Sequence, residues 1–278
     1  KEKNSRRSSA LKKNDLKELS KKYRKEIFEK FLLIKQGHPG SIFSMMEIAV
    51  TLFHGGYVRF DEKKKKFIDK VLISKGHATS TLYPILRDFG VIKKLEWENW
   101  GKSQTKLRIF ANISIPGIDI TSGSLGHCIG SGAGMALFYK KKKIDKKVFV
   151  IISEGELYEG STWEALLFAK HHNLNNLVIF IDINELIILG NTKECLKLDP
   201  IDKKISGLGI DCHNIDGHSI ESITKSLDKI SNSDNLNCIL AKTIKGKGSS
   251  IMENKKNWHY WNAMSDEQIK KTREDLDQ

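Results

Sequence analysis

Glu154 and Asn184 stand thirty residues apart, each just past a run of apolar residues, Val148-Phe149-Val150-Ile151-Ile152 and Leu177-Val178-Ile179-Phe180-Ile181-Asp182. Runs of that length and composition read as strands buried on both faces, so a carboxylate and a carboxamide emerge beyond the carboxyl ends of two neighbouring strands. Oxygen donors of this kind suit a hard divalent cation, and Gly155 beside Glu154 lets a phosphate approach the backbone. The chemistry expected is the holding of a diphosphate through Mg²⁺. Singly, Glu154 and Asn184 read as ordinary polar residues at strand ends; Glu156, Trp163 and Gly190 nearby make the joint reading the stronger one.

Other motifs follow a fixed order. They are Gly37-His38-Pro39-Gly40-Ser41, Ser74-Lys75-Gly76-His77-Ala78, Ser122-Gly123-Ser124-Leu125-Gly126-His127, Glu156-Leu157-Tyr158-Glu159-Gly160, Lys245-Gly246-Lys247-Gly248 and Met252-Glu253-Asn254 with Trp258-His259. Together with Ser153-Glu154-Gly155 and Asn184 they resemble the signature of thiamine diphosphate enzymes, and within these the transketolase family. The resemblance runs from about Leu16 to about Leu276, and it implies the thiamine diphosphate-binding fold.

The resemblance also implies roles. Glu154, Asn184 and the backbone carbonyl of Leu186 would hold Mg²⁺, and the N–H of Gly155 would face a phosphate. His77 would hydrogen-bond the diphosphate, which an imidazole donor at a turn into a helix suits; alone, it reads as a structural helix-start histidine. His38 would meet the substrate, and His259 both diphosphate and substrate. Gly123, Ser124 and Leu125 would pack on the cofactor, Gly123 against its aminopyrimidine. Glu156 would sit near a subunit boundary in a carboxylate network. His127 is read equally as a residue facing the site or a satisfied core histidine.

Two departures stand out. The family has Gly-Asp-Gly where this chain has Ser153-Glu154-Gly155. The extra methylene must be absorbed by the backbone, by weaker metal binding, or by a cation of looser geometry such as Ca²⁺ or Mn²⁺. The family also has a histidine in the substrate channel before Pro116-Gly117-Ile118, where this chain carries Phe110-Ala111-Asn112-Ile113. The second domain that completes such a cofactor site has no counterpart among these motifs. The chain is therefore expected to be the amino-terminal subunit of a split transketolase. It would be active with a carboxy-terminal, pyrimidine-binding partner in a heterotetramer, and would transfer a two-carbon ketol between sugars or sugar phosphates. The alternative is a cofactor-impaired scaffolding or regulatory subunit.

Composition sets the frame. With 278 residues, 39% hydrophobic and 29% charged, the chain reads as an ordinary globule able to bury a large core. The net charge of +13 concentrates in runs such as Lys63 to Lys66 and Lys140 to Lys143, without the aromatic interleaving of single-strand binders. Solvated loops are expected there, and no nucleic acid. No apolar run is long enough to span a membrane, and four scattered cysteines fit a reduced, cytoplasmic setting. Residues 1–14 read as a basic, disordered tail, and 15–278 as one α/β domain, a parallel sheet flanked by helices. Helices are expected from Leu16 to Ile34 and at Ser44–Phe53, Thr79–Phe89, Gly126–Tyr139, Ser161–His171 and Ile220–Ile230. Strands are expected at Val71–Ser74, Val148–Ile152, Leu177–Asp182, Gly209–Cys212 and Cys238–Lys242, with a functional loop over Lys245–Asn262.

Overall fold

The computed structural model describes residues 10–110 and 112–278. Helix α1 (Lys13–Ile34) opens the fold, so of the basic tail expected over residues 1–14 most lies outside the described residues. Leu16, Tyr23, Ile27, Phe28 and Phe31 fall on one face and are buried. The helix stops at Lys35, whose N–H returns to the Phe31 carbonyl. Gly37 then turns at φ +139°, where a Cβ would stand 2.3 Å from the Phe31 ring; only glycine fits.

The chain continues through α2 (Pro39–Ser44), α3 (Met46–His54) and a small hairpin, β1 (Phe60–Asp61) with β2 (Lys66–Phe67). The Lys63 to Lys66 run caps this hairpin and is exposed, as a solvated loop should be. Next come β3 (Lys70–Ile73), a 3₁₀ turn over Gly76–Thr81, α4 (Leu82–Asp88), α5 (Lys94–Glu98) and α6 (His127–Lys141). They are followed by β4 (Val148–Ser153), α7 (Gly160–His171), β5 (Leu177–Ile183), α8 (Thr192–Cys195) and α9 (Ile201–Ser206). Last are β6 (Asp211–Asp216), α10 (Ile220–Ile230), β7 (Asn237–Lys242), a 3₁₀ turn over Lys256–His259 and α11 (Asp266–Asp277).

The main sheet has five strands in the order β3-β4-β5-β7-β6, all parallel. Successive side chains alternate between its faces. Phe149, Ile151, Val178, Phe180 and Ile239 join one core with α1 and α3; Val148, Val150, Ile179, Ile181 and Leu240 join another beneath α6 and α7. The small residues of α6 have a direct purpose at Gly132, where a Cβ would stand 2.5 Å from Val150 Cγ2. Helix and strand touch through that gap.

Every strand of a parallel sheet points the same way, so all five deliver their following loops to one edge. At that edge β5 leaves a charge below the surface. Asp182 is fully buried and pairs with the buried ammonium of Lys75, while Ser44 Oγ (2.5 Å) and Thr243 Oγ1 also donate to it. One carboxylate thus ties the turn after β3 to α2 and to the end of β7.

The expected strand at Gly209–Cys212 begins later, at Asp211, and runs to Asp216. The expected helix at Ser44–Phe53 is α3, which begins two residues later at Met46, and Pro39 starts a separate short helix before it.

Candidate functional site

Three loops from the strand ends, together with the turn before α2, meet in one crevice. After β3, Gly76 packs so closely beneath the 122–123 segment that a Cβ would lie 2.6 Å from the Ser122 carbonyl carbon. This places Gly123 (φ +154°) against the Gly76 turn. His77 Nε2 lies 3.0 Å from Ser41 Oγ. His38 is buried, with its ring centroid 5.1 Å from that of His77 and 5.5 Å from that of His259; His77 and His259 lie 5.3 Å apart. Three imidazoles therefore form a triangle.

The fourth member of the cluster is absent from the roles the motifs imply. Lys245 Nζ reaches His259 Nδ1 (3.1 Å) and the Leu186 carbonyl (3.2 Å). Gly40 makes room for it, since a Cβ there would sit 2.9 Å from the Trp258 carbonyl oxygen and 3.0 Å from Lys245 Cγ. Because His259 Nδ1 accepts from the ammonium, its ring proton sits on Nε2. Burial, joined by the neighbouring positive charges, holds His38 down to about 4, His259 down to about 3 and His77 well below the ordinary value. Burial, then Lys75, lowers Lys245 to about 8. Near neutral pH the cluster is three neutral imidazoles around one ammonium. Among the described residues no carboxylate hydrogen-bonds to any of the four, and His38 Nδ1 is buried without a partner.

The oxygen donors lie beside it. Glu154 follows β4 and is buried; its Oε1 accepts from Thr192 Oγ1 (2.7 Å) and its Oε2 from the Glu185 N–H (2.8 Å). Burial raises its carboxyl above the usual range. Asn184 Oδ1 accepts from the Leu186 N–H at 3.2 Å. A tight loop bridging Leu186 to Asn191 folds back, brings Thr192 to Glu154 and lays Ile187 over Gly155, where a Cβ would stand 2.8 Å from Ile187 Cγ2. Among the described residues no three His, Cys, Asp or Glu side chains gather for a metal. A cation here would rest on one carboxylate, one carboxamide and the Leu186 carbonyl, the sparse oxygen set that Mg²⁺ completes with phosphates. The Lys245 ammonium already stands on that carbonyl. The donors fit a cation, and the imidazoles fit the anion it would carry.

Other expected residues fall elsewhere. Glu156 is fully buried under the amino end of α6, where its Oε1 accepts from Ser74 Oγ and from the Gly126 N–H (2.9 Å), while Oε2 has no partner. It makes no hydrogen bond to the imidazoles. Ser124 is exposed and Leu125 half-buried, and His127 is exposed at the start of α6, outside the core. Phe110, the first residue of the stretch without a histidine, packs edge-on to His38 at 5.5 Å, and Tyr260 covers another side of it at 5.0 Å. Ala111 lies outside the described residues.

Residues 16–277 match the family described as transketolase, thiamine diphosphate binding domain. The chain belongs to the transketolase family. It is 33% identical over 236 residues to an apulose-4-phosphate transketolase subunit of Actinobacillus succinogenes, covering 83% of this chain and 84% of that one. The subunit of the same name from Phocaeicola vulgatus is 32% identical, over 87% of this chain and 86% of its own. Human transketolase is 34% identical over 80% of this chain, yet only 36% of its own length is matched. The crystal structure of Campylobacter jejuni transketolase superposes with a TM-score of 0.88 at 25% identity, covering 96% of this chain and 43% of that one. This transketolase-family chain thus spans less than half of those longer relatives and most of the two named as subunits. The cofactor of such a domain is thiamine diphosphate with a divalent metal, and the parallel sheet flanked by helices is its fold.

Proposed function

We propose that this chain is the diphosphate-binding subunit of a two-chain transketolase that moves a two-carbon ketol unit from a ketose phosphate to an aldose acceptor. Thiamine diphosphate, when bound, supplies the carbon nucleophile. The observation that carries the reading is the convergence of His38, His77, His259 and Lys245 on one crevice beside the oxygens of Glu154, Asn184 and Leu186. His77, Lys245 and the Nε2–H of His259 donate to the diphosphate, with the Gly155 backbone beside them. The three oxygens hold the cation. Gly123, Ser124 and Leu125 wall the aminopyrimidine. His38, with one buried ring nitrogen unpartnered, meets the substrate. Phe110 and Tyr260 flank it with aromatic surface, which favours a carbon face of the sugar where a hydrogen-bonding group would favour a hydroxyl.

The partner is a chain carrying the pyrimidine-binding half, in an assembly of two copies of each. The names of the two relatives called subunits support this, and so does an exposed groove between α6 and α7. There Gly130 and Gly134 face open space and Phe168 is exposed. Glu156 lies beneath that groove and acts in catalysis through the subunit boundary. A phosphorylated ketose is the substrate class, as the relatives' names state for them. All four cysteines are free, and no helix among the described residues is long and apolar enough to cross a membrane; we place the assembly in the cytoplasm. One observation favours a cofactor-impaired scaffold instead: both oxygens of Glu154 are already engaged by the chain's own donors. A carboxylate has about four acceptor positions, so two remain for a metal.

The test is cofactor binding by the chain mixed with its partner, titrated against Mg²⁺, Mn²⁺ and Ca²⁺. Glu154→Ala should abolish metal-dependent binding and Glu154→Asp should keep it. His77→Ala should weaken cofactor binding, while His38→Ala should spare it and slow ketol transfer. Binding indifferent to metal in all three Glu154 forms would promote the scaffold.

A further inference from the structure

Away from the crevice, at the far edge of the sheet, two thiols face each other. Cys212 on β6 and Cys238 on β7 are direct partners in the parallel register. Register partners project from the same face, and both belong to the core beneath α6 and α7. Neighbouring strands lie about 4.7–4.9 Å apart, which falls inside the roughly 4.4–6.8 Å window between Cα atoms that a disulfide spans. The spacing of the two backbones is compatible with a bridge.

The two differ in access. Cys238 is fully buried, flanked by β5 on one side and β6 on the other. Cys212 lies on the edge strand and is half-buried, the more accessible of the two. We propose that Cys212 and Cys238 form a hydroperoxide-responsive dithiol, with Cys212 the attacking sulfur and Cys238 the resolving one. The hydrogen bond from Cys238 lowers the thiol of Cys212, and Cys238 itself is raised by that bond and by burial. The order of reaction follows from both access and acidity.

The chemistry balances with one hydroperoxide. The Cys212 thiolate attacks the terminal peroxide oxygen; an S–O bond forms, the O–O bond breaks, and the alkoxide leaves as alcohol after taking a proton. Cys212 is then a sulfenic acid. The Cys238 sulfur attacks the Cys212 sulfur, the S–S bond forms, the S–O bond breaks, and hydroxide leaves as water with the Cys238 proton. Two electrons pass from the thiols to the peroxide, and a dithiol reductant reverses the change. The other cysteines cannot substitute. Burial pushes the Cys128 thiol up to about 12, and Cys195 is exposed without a thiol partner among the described residues.

The experiment uses the full chain carrying Cys195→Ser, dosed with hydrogen peroxide, then denatured, alkylated and mapped by mass spectrometry. The expected result is loss of two of the three remaining thiols, a Cys212–Cys238 linked peptide lacking two hydrogens, and Cys128 still alkylated. In the same background, Cys238→Ala should arrest Cys212 as a sulfenic acid trapped by dimedone. If Cys238→Ala does not fold, Cys212→Ser serves: Cys238 should then stay alkylatable at the same dose. Full alkylation of Cys212 and Cys238 after a dose that oxidises a free dithiol would overturn the proposal. So would a dimedone adduct on Cys212 that persists with Cys238 present.

Discussion

Replacing Asp182 with asparagine isolates the charge beneath the site. The carboxylate is fully buried, and the Lys75 ammonium it pairs with is 1% exposed. Asparagine keeps one oxygen, for Ser44 or for Thr243, which donate to different oxygens of Asp182; it loses the charge, and Lys75 is left with the Ser41 carbonyl (3.1 Å) and Ser44 Oγ (3.3 Å). Breaking a buried pair by removing one partner costs about 3–5 kcal/mol, a large part of the roughly 5–15 kcal/mol that holds a domain together. With a urea slope of about 3 kcal/mol per molar, the midpoint should fall by about 1–2 M. The assay is urea unfolding followed by far-ultraviolet circular dichroism and by the fluorescence of the five tryptophans. Adding Lys75→Met removes the stranded cation, so the double variant should regain at least half of the loss. The reasoning fails if Asp182→Asn unfolds within about 1 kcal/mol of the parent, a surface-pair magnitude. It fails equally if the double variant is no more stable than the single one.

Three further outcomes follow from the geometry. Gly132→Ala should cost about 1–3 kcal/mol through overpacking against Val150, whereas Gly130→Ala, in open space on the same helix, should gain about 0.5–1 kcal/mol; thermal melts showing the same sign for both would refute the packing account. His38 has an ordinary unfolded value near 6.5 and a folded value of about 4, so its share of stability is whole above pH 6.5 and is lost as pH falls toward 4. At pH 5 that loss is about 2 kcal/mol, and the urea midpoint of the parent should drop more between pH 7 and 5 than that of His38→Asn; equal drops would count against it. Lys245→Met should weaken thiamine diphosphate binding about 10- to 100-fold, the worth of a charged hydrogen bond. Parent affinity should decline as pH rises through about 8, where Lys245 loses its proton, and fluorescence titration should find the variant flat across that range.

The buried strands were legible because a parallel sheet covered on both faces writes itself as unbroken apolar runs, and β3, β4, β5 and β7 fall within a residue or so of where those runs lie. Strand β6 reads too early and too short, because Asp-Cys-His-Asn-Ile-Asp at an edge is half-exposed and polar, and its pairing is decided by β7 rather than by its own residues. Helix α11 does carry a local signal, the Ser265 capping box with Gln268, but its polar surface hides the periodicity that would mark a helix. Of the site, the three histidines and the oxygen donors stood in ordered motifs. Lys245 and Lys75 also stood in such motifs and Asp182 ended an apolar run, but neither the ammonium among the imidazoles nor the buried Lys75–Asp182 pair could be read there, since only the tertiary fold brings these side chains together. Thr192 was invisible for a similar reason: it reaches Glu154 only because the Leu186–Asn191 loop folds back.

The strand order has a consequence for the growing chain. β7 is made last yet lies between β5 and β6, so β6, complete at Asp216, has no sheet neighbour among the described strands until Asn237–Lys242 has left the ribosome. At about 5–20 residues per second that is an interval of one to several seconds. Throughout it the edge of β5, apolar on both faces, stands open, which is the kind of edge that recruits strands from other chains. Lys245 and His259 emerge later still. A nascent chain paused just before residue 237 therefore carries His38, His77, Glu154 and Asn184 without the ammonium that joins them, and it is in that interval that a chaperone has most to shield.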